Sequence, residues 1–268
     1  MTAPPDVRAV VLARGLGTRM RAGDGAGLDP AQHAAAAAGL KGMIPVGGRP
    51  FLDHVLHALA DAGFRRAALV LGPEHEPVRA YYRSLETRRI RIEFVTQERP
   101  LGTADAVTAA EQWTTGGPFV VLNADNLYPV DVLARLRAAV GPAAPGFSPA
   151  SLALDRARLG AFALIARDAR GCLSRIVEKP GEAAVAAAGA AALISMNVWR
   201  FDARIFHACR TVPVSPRGER ELPQAVALAA KDGVCFEVFD ADGPVLDLSR
   251  RGDIAAVVRH LDGRSVAL

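Results

Sequence analysis

The stretch RAVVLARGLGTRM, residues 8–20, joins a short apolar segment directly to a loop that contains two glycines. Its first part, Arg8–Leu12, is apolar and carries two β-branched valines, which predicts a buried β-strand. Gly15 and Gly17 have no side chain, so the backbone N–H groups around them can approach an anion closely. Arg19 adds a fixed cation. The stretch therefore predicts a strand that leads into a phosphate-binding loop.

Apolar runs and helix-length amphipathic segments continue to alternate through the first half of the chain. This alternation is typical of a mostly parallel sheet that is covered on both faces. The sequence therefore predicts an α/β fold of the Rossmann-like type, with three α/β/α layers and a mixed, mostly parallel central sheet. The predicted strands are Ala67–Leu71, Arg91–Val95 and Phe119–Leu122, and the predicted helices are Pro50–Ala62, Thr103–Trp113 and Pro129–Val140.

The second half of the chain has more strand-like segments and fewer helices, which suggests that it extends the sheet. Loops or insertions are predicted at Arg21–Gly39, where the alanine run could form a short helix, and at Gly141–Ser151. We predict a single domain over residues 1–268. The predicted strands of this half are Ala161–Ala166, Leu173–Glu178, Ala192–Phe201, Cys235–Phe239 and Val245–Leu248, and the predicted helices are Glu221–Lys231 and Asp253–Leu261.

Length and composition exclude several classes of protein. The 268-residue chain has no apolar run of the roughly 18 residues that a membrane span requires. Met1–Val7 lacks a basic segment followed by an apolar one, so no signal peptide is expected. The cysteines, Cys172, Cys209 and Cys235, are odd in number and widely spaced, which predicts free thiols in a reducing cytoplasm. For lack of such an apolar run, we expect no membrane as partner. We also expect no nucleic acid, because the net charge of +4 comes from scattered basic residues.

Lysine is scarce in this chain, although basic residues are common. Only Lys41, Lys179 and Lys231 stand among 32 basic residues, and the rest are arginine. A lysine that persists in such a background is expected to be needed for its compact ammonium group, which arginine does not reproduce.

The glycine loop fits neither of two common phosphate-binding motifs. A dinucleotide-binding loop needs a third glycine where Met20 stands, and a P-loop needs a glycine followed by lysine and a hydroxyl residue. On the loop alone, a tight turn with a surface arginine remains an equal alternative.

A second motif adds to the loop. Lys41 begins the segment KGMIPVGGRP, residues 41–50, which leads into the predicted helix. Together with the Gly-x-Gly-Thr-Arg loop, this segment resembles the sugar-1-phosphate nucleotidylyltransferases, in which such a loop and a downstream lysine hold a nucleoside triphosphate.

The resemblance extends over residues 8–248 through further motifs in the same order. Gln97 and the segment LGTADAV, residues 101–107, resemble the base-recognition segment of the family. Asn123-Ala-Asp125 stands where the family has Gly-Asp after its central strand. Gly160 and Val177–Pro180 resemble the sugar-phosphate side, and Val245–Leu248 resembles the element that supplies a second metal ligand.

The resemblance implies Mg²⁺-dependent transfer of a nucleotidyl group from a nucleoside triphosphate to a sugar 1-phosphate. It implies a nucleotide-binding part at about 7–140 and a sugar-phosphate-binding part at about 150–248. It implies that Asp125 and Asp247 share Mg²⁺, as a hard ion held by few carboxylates and by phosphate oxygens. The implied catalytic residues are Arg19, Lys41, Asp125 and Lys179; the implied triphosphate-binding residues are Leu12, Ala13, Gly15, Gly17, Thr18, Arg19, Lys41, Gln97, Gly102 and Thr103; the implied sugar-phosphate-binding residues are Gly160, Glu178, Lys179 and Asn197.

Two positions depart from the family pattern. Arg14 replaces the second alanine of the usual Leu-Ala-Ala-Gly loop, so it either adds a phosphate contact or crowds the base. Asn197 stands where many members have glycine, and it is expected to reshape the sugar pocket.

Alternatives remain open for single residues and for the whole chain. Asp125 is also suited to cap the following helix, and Asp247 is suited to face solvent. A cytidylyltransferase for phosphocholine or a similar phospho-alcohol would share the triphosphate half. A non-catalytic sensor of nucleotide sugars would share the fold. The motifs leave the base, the sugar and the oligomeric state open.

Overall fold

A computed structural model describes residues 6–15, 17–21, 27–152 and 154–268 of the chain. Leu16 of the predicted phosphate loop, residues 22–26 of the predicted loop after it, residues 1–5 and Ala153 lie outside the described residues. Short 3₁₀ helices are formed by Lys41–Met43, Pro149–Ser151, Gly189–Ala191 and Arg251–Asp253.

The described strands are β1 (Arg8–Leu12), β2 (Pro45–Val46), β3 (Arg49–Pro50), β4 (Arg66–Leu71), β5 (Arg91–Thr96), β6 (Phe119–Asn123), β7 (Asn126–Leu127), β8 (Ala143–Phe147), β9 (Ala163–Arg167), β10 (Leu173–Val177), β11 (Leu193–Ser195), β12 (Trp199–Phe201), β13 (Glu237–Ala241) and β14 (Leu246–Asp247). The described helices are α1 (Thr18–Arg21), α2 (Pro30–Ala38), α3 (Phe51–Asp61), α4 (Glu76–Ser84), α5 (Thr103–Ala109), α6 (Glu111–Thr114), α7 (Val130–Ala138), α8 (Arg156–Leu159), α9 (Gly181–Ala188), α10 (Ile205–Thr211), α11 (Leu222–Lys231) and α12 (Ile254–Leu261).

Ten of these strands form one mixed sheet that draws on both halves of the chain. Its order is β10-β9-β11-β8-β12-β6-β1-β4-β5, and β13 pairs with β8 from outside this path. The strands β5, β4, β1 and β6 run parallel, whereas β12 pairs antiparallel with β6 and begins the extension supplied by the second half. The predicted fold class is therefore confirmed.

Strand β1 lies in the middle of the parallel part and has apolar side chains on both faces. Ala9 and Val11 pack into a core with α3 and α7, while Val10 and Leu12 pack into a second core with α5, α10 and α11. Because successive side chains of a strand point to opposite faces, this continuous apolar run needs helices on both sides. Among the described residues, no helix has the length and apolar character required to cross a membrane.

The structure corrects two predicted loops. The segment predicted as a loop at 141–151 contains β8, which lies between β11 and β12. Pro145 and Gly146 hid this strand, because both residues are disfavoured in strand interiors. The predicted loop at 21–39 contains α2, which is capped by Asp29 and Gly39 and includes the alanine run for which a short helix was the alternative.

Two further elements are divided where the sequence predicted one. The strand predicted at 192–201 consists of β11 and β12, which are separated by a turn at Asn197. The helix predicted at 103–113 consists of α5 and α6, which meet at Ala110.

The cysteine prediction is wrong. Cys172 and Cys235 form a disulfide, with their Cα atoms 5.2 Å apart, and Cys209 is buried and free. Leu173 N–H donates to the oxygen of Phe236 at 2.8 Å, and this backbone contact brings the two thiols together. Their 63-residue separation in sequence carried no signal of this proximity. The disulfide removes the argument from free thiols for a cytoplasmic location. The cytoplasmic location itself stays a prediction.

One buried carboxylate links two helices on the α3 face of the sheet. Asp53, in the first turn of α3, is 0% exposed and accepts hydrogen bonds from Tyr81 Oη at 2.8 Å and Tyr82 Oη at 2.9 Å. Both tyrosines belong to α4, so these bonds fix α4 against α3. A buried carboxylate is tolerated only when such partners replace water.

We expect Tyr82→Phe to lower the free energy of unfolding by about 1–3 kcal/mol, because it leaves a buried oxygen of Asp53 without its donor. Tyr81→Phe is the matched control and should cost less, since Tyr81 is less buried than Tyr82. Urea unfolding of both variants measures the difference. Equal losses of unfolding free energy in the two variants would contradict the expectation that the more buried hydrogen bond costs more to remove.

Candidate functional site

The candidate site lies at the carboxyl ends of the parallel strands. β1 is paired with β4 on one side and β6 on the other, so the loops that follow these strands leave the sheet at the same edge. Ala124 N–H donates to the oxygen of Leu12 at 3.0 Å, and Ala13 N–H donates to the oxygen of Val70 at 3.0 Å. The glycine loop and the Asn123–Asp125 loop are therefore held side by side.

Two adjoining cavities open at this edge. The first cavity is lined by residues that include Arg14, Lys41, Gln97, Gly102, Asn123 and Asp125. The second cavity is lined by residues that include Arg19, Asp125, Glu178, Lys179, Asn197 and Asp247. Thr103, Asn123, Asp125 and Glu219 line both, so the cavities meet at these residues.

Most residues predicted to hold a triphosphate surround the first cavity. Gly17 and Thr18 are outside its lining, and Arg19 lines the second cavity instead. Gly17 has a positive φ of 62°, and a Cβ there would lie 2.5 Å from the oxygen of Gly39. A close approach to the end of α2 therefore accounts for this glycine. The predicted residues that line the first cavity are Leu12, Ala13, Gly15, Lys41, Gln97, Gly102 and Thr103.

The loop before α5 is pinned to the loop before α11. Gly102 has a φ of 106°, and a Cβ there would lie 2.7 Å from the nitrogen of Arg220. Arg220 N–H donates to the oxygen of Leu101 at 2.7 Å, and Leu222 N–H donates to Thr103 Oγ1 at 2.8 Å. These contacts fix one wall of the first cavity.

Gln97 has a fixed side-chain amide. Its Nε2 donates to the oxygen of Gly102 at 3.1 Å and to Asp105 Oδ2 at 2.7 Å. Both partners are acceptors only, which assigns the amide orientation and uses both of its N–H bonds. The Oε1 atom is then the part of the amide that is left to accept a hydrogen bond.

Asp125 and Asp247 come together although they are far apart in sequence. Leu248 N–H donates to the oxygen of Asp125 at 2.8 Å, and Asp247 pairs with Asn126 across β7 and β14. Asp247 is buried, so the alternative that it faces solvent is wrong. Asp125 does not cap α7, because that helix begins at Val130 after Pro129. Burial and then the charge of Asp125 raise the pKa of Asp247 above its ordinary value.

Each of the two carboxylates is paired with a cation. Lys41 Nζ lies 2.8 Å from Asp125 Oδ2, and Arg158 Nη2 lies 2.8 Å from Asp247 Oδ2. Asp247 Oδ1 accepts from Ser249 Oγ at 2.7 Å and from Asn126 Nδ2 at 3.3 Å. In the described part of the chain, Asp125 Oδ1 has no hydrogen-bond donor. The donor set of two carboxylates, one with a free oxygen, fits a hard divalent cation such as Mg²⁺.

Two buried oxygens in the second cavity lack a donor. Glu178 Oε1 and Asn197 Oδ1 are buried and have no hydrogen-bond partner among the described residues. Burial raises the pKa of Glu178, and the nearby charge of Glu221 adds to this effect. Orphaned buried acceptors are costly and call for a donor from outside the fold. A ligand with hydroxyl groups would supply such donors.

The backbone is strained at two residues of the second cavity. Lys179 has a φ of 45° and Asn197 a φ of 57°, both in the left-handed region. Non-glycine residues occupy this region rarely, and they cluster at functional sites. Tyr128 Oη donates to the oxygen of Met196 at 2.6 Å and holds the turn that carries Asn197.

Gly160 is outside the lining of the second cavity. A Cβ at this position would lie 2.7 Å from the carbonyl carbon of Gly181, so packing against the start of α9 requires glycine here. Its neighbours Arg158, Ala161 and Phe162 do line the cavity. The sugar-binding role of Gly160 stays a prediction.

Several residues that shape the two cavities carried no signal in the sequence. Arg158 bridges Asp247 and Asp253, with Nη1 2.7 Å from Asp253 Oδ1, but it is one of many arginines. Glu74 and His75 follow β4, where the turn itself shows no motif. The only hint at Glu74 was general: it is a carboxylate that closely follows a predicted parallel strand.

A sequence model of a family described as nucleotidyl transferase matches residues 8–243. The UTP--glucose-1-phosphate uridylyltransferase AglF of Haloferax volcanii is 29% identical over 245 residues, which cover 90% of this chain and 91% of that protein. The low-salt glycan biosynthesis nucleotidyltransferase Agl11 of the same organism is 26% identical over 250 residues, which cover 92% of this chain and 64% of that protein.

Solved structures with the same fold were also found. A UDP-glucose pyrophosphorylase complexed with UDP-glucose superposes with a TM-score of 0.75 at 17% identity, over 96% of this chain and 99% of that chain. A UTP-bound UGPase from Acinetobacter baumannii superposes with a TM-score of 0.72 at 19% identity, over 97% of this chain and 95% of that chain. At these identities the likeness concerns the fold.

We expect Glu178→Gln to stabilise the protein more at neutral pH than at acidic pH. The folded-state pKa of Glu178 is raised, so the wild type loses stability as pH rises from the ordinary glutamate value through this raised pKa. The amide does not titrate and avoids this loss. Thermal unfolding between pH 4 and pH 8 measures the difference, with the exposed Glu182→Gln as control. A difference independent of pH would refute the raised pKa.

Proposed function

Because the chain belongs to the nucleotidyl transferase family, we propose that it transfers a nucleotidyl group from a nucleoside triphosphate to a sugar 1-phosphate. The products are a nucleotide sugar and pyrophosphate. The family match over residues 8–243 confirms the resemblance as far as the family, and the Val245–Leu248 motif lies beyond the matched residues. Relatives named for UTP and glucose 1-phosphate support these substrate classes.

The observation that carries the proposal is the meeting of the two cavities at Asp125. A transfer between two bound phosphates needs both of them at one point, in line for displacement. We assign the triphosphate to the first cavity and the sugar 1-phosphate to the second. The acceptors Glu178 Oε1 and Asn197 Oδ1 suit the hydroxyl groups of a sugar.

The chemistry requires positioning and neutralisation of charge more than covalent help from the protein. A phosphate oxygen of the sugar phosphate forms a bond to the α-phosphorus, and the bond from that phosphorus to the bridging oxygen breaks, releasing pyrophosphate. A phosphate nucleophile is already ionised at neutral pH, so no general base is assigned. Lys41 serves the triphosphate from the first cavity, while Lys179 and Arg19 line the second cavity, where Lys179 serves the sugar phosphate.

Asp125 and Asp247 are the residues that we propose to hold Mg²⁺. When bound, this ion would neutralise phosphate charge beside the reacting phosphorus. Before it binds, Lys41 and Arg158 compensate the two carboxylates, which keeps both charges tolerable close to one another. Both cations therefore orient the carboxylates.

A matrix of five nucleoside triphosphates against several sugar 1-phosphates and phosphocholine, read as released pyrophosphate, tests the function. We expect release with a sugar 1-phosphate and Mg²⁺, and none when EDTA removes the metal. Release of pyrophosphate with phosphocholine as acceptor, and with no sugar 1-phosphate, would favour a cytidylyltransferase. Nucleotide-sugar binding without release from any pair would favour a non-catalytic sensor.

We expect Lys179→Ala to weaken binding of the sugar phosphate about ten- to hundredfold, because a charge-assisted contact to a dianion is worth about 1.5–3 kcal/mol. Triphosphate binding should change little. Lys41→Ala is the matched variant and should show the opposite pattern. Calorimetric titration of each substrate separately distinguishes them, and equal losses for both substrates would remove the assignment.

We expect Asp125→Asn and Asp247→Asn each to abolish most turnover. The double variant should lose little more than either single one, because the two carboxylates act as a unit. The exposed Asp131→Asn is the control, and circular dichroism checks that every variant is folded. Multiplying losses in the double variant would mean that the two residues act independently.

A further inference from the structure

Arg14, the departure from the family loop, is fixed in the wall of the first cavity. Its Nε donates to Glu74 Oε1 at 2.9 Å and its Nη2 donates to Glu74 Oε2 at 3.0 Å. Its Nη1 donates to the main-chain oxygen of Gln97. The side chain is only 8% exposed, so it neither extends into solvent nor swings freely.

The pairing with Glu74 cancels the charge of Arg14. The hydrogen bonds from Arg14 are the main reason why the pKa of Glu74 lies below its ordinary value, so this carboxylate stays ionised at neutral pH. A cation that is already neutralised by a bidentate carboxylate contributes little to holding a triphosphate. Arg14 therefore acts in the cavity as a fixed hydrogen-bond donor.

The turn after β4 is built around this pair. A Cβ at Gly72 would collide with Arg14 Nε and with the carboxylate of Glu74, so a larger residue here would displace both side chains from their pairing. Gly72 N–H donates to His75 Nδ1 at 3.1 Å, which places the imidazole proton on Nε2, and burial lowers the pKa of His75. Arg79 Nη1 donates to the oxygen of Gly72 at 2.9 Å. Gly72, His75 and Arg79 therefore hold the turn around the Arg14–Glu74 pair in place before a ligand binds.

A count of donors and acceptors shows what this wall offers to a ligand. Arg14 has five N–H bonds, and the contacts with Glu74 and Gln97 use three of them. One N–H bond on each terminal nitrogen is left. Gln97 offers only Oε1, since Gly102 and Asp105 take both of its N–H bonds. Arg14 and Gln97 both line the first cavity and are bonded to each other through Nη1 and the main-chain oxygen, so one wall combines donors from Arg14 with an acceptor from Gln97.

This pattern complements a carbonyl oxygen that stands next to a ring N–H. Uracil, thymine and guanine have such an edge, because O4 or O6 adjoins a protonated ring nitrogen. Cytosine and adenine present the reverse order, an amino group beside an unprotonated nitrogen, and would place donor against donor. Buried polar groups left unpaired in this way discriminate strongly between ligands.

We propose that Arg14, held by Glu74, is a specificity-determining residue that selects nucleotides with a keto base over those with an amino base. The inference rests on the proposed function, since it assigns the base to the first cavity. It makes Arg14 a reader of the base, in place of the phosphate contact that the loop position suggested. Gly72 and Glu74 are positioning residues for it.

Calorimetry with UTP, GTP, CTP, ATP and inorganic tripolyphosphate, without sugar phosphate, tests the inference. We expect the wild type to bind UTP or GTP at least about tenfold more tightly than CTP and ATP. Arg14→Ala should reduce this ratio about tenfold and leave tripolyphosphate binding unchanged. Arg14→Lys should not restore the ratio, because an ammonium group cannot contact both oxygens of Glu74 and the oxygen of Gln97 in one plane.

The control is Arg88→Ala, which removes an exposed arginine that is also paired with a glutamate, Glu86. A uniform loss across all nucleotides and tripolyphosphate in Arg14→Ala would overturn the inference, since it would mean that Arg14 acts by charge. An unchanged base ratio, or a wild type that prefers CTP or ATP, would also overturn it. If the wild type releases pyrophosphate and Arg14→Ala keeps the wild-type base ratio, this inference alone is refuted. A wild type that binds no nucleotide refutes the proposed function with it.

Discussion

The short backbone pairing between β7 and β14 is the constraint on which the site depends. It joins the loop after a central strand to a segment near the end of the chain, with Leu248 N–H bonded to the oxygen of Asp125 at 2.8 Å. Because this contact is made by the backbone, it places the two carboxylates together whatever their charge state. Tyr128, just after β7, then ties the turn of Asn197 to the same place through Met196. The second cavity is thus assembled from three distant segments around one small ladder.

Charge balance at the site follows from this closeness. Two carboxylates near one another repel, and burial of Asp247 adds a desolvation cost. Lys41 and Arg158 offset both effects: Lys41 lines the first cavity and Arg158, in α8, lines the second. The site therefore contains paired opposite charges that an incoming polyanion and its metal can exchange for new partners. Exchanging one ionic partner for another costs less than leaving a buried charge without any partner.

The parallel half of the fold could be predicted from the sequence because its signal is local. The apolar run at Arg8–Leu12 and the helix spacing in α3 report burial directly. β8 escaped prediction because Pro145 and Gly146 are disfavoured in strands, whereas packing favours glycine at 146: a Cβ there would lie 3.0 Å from the side chain of Leu193. The disulfide escaped for a related reason, since only the strand register brings Cys172 to Cys235. Likewise, motifs pointed to Asp247 and to Arg14, but their partners Arg158 and Glu74 are defined by three-dimensional contacts that local sequence does not encode.

The packing of Gly72 under Arg14 and Glu74 has a consequence for how this chain could have diverged. The paired position of Arg14 depends on residues 72 and 74, because a larger residue at 72 would displace the pair and a neutral residue at 74 would leave a buried cation. Gaining Arg14 before Glu74 would bury an unpaired guanidinium, whereas Glu74 is half exposed and could be gained first at little cost. The three positions are thus epistatic, and their order of acquisition is constrained. Once assembled, the trio resists piecemeal reversal, so a lineage that carries it is expected to keep all three residues or to lose them together.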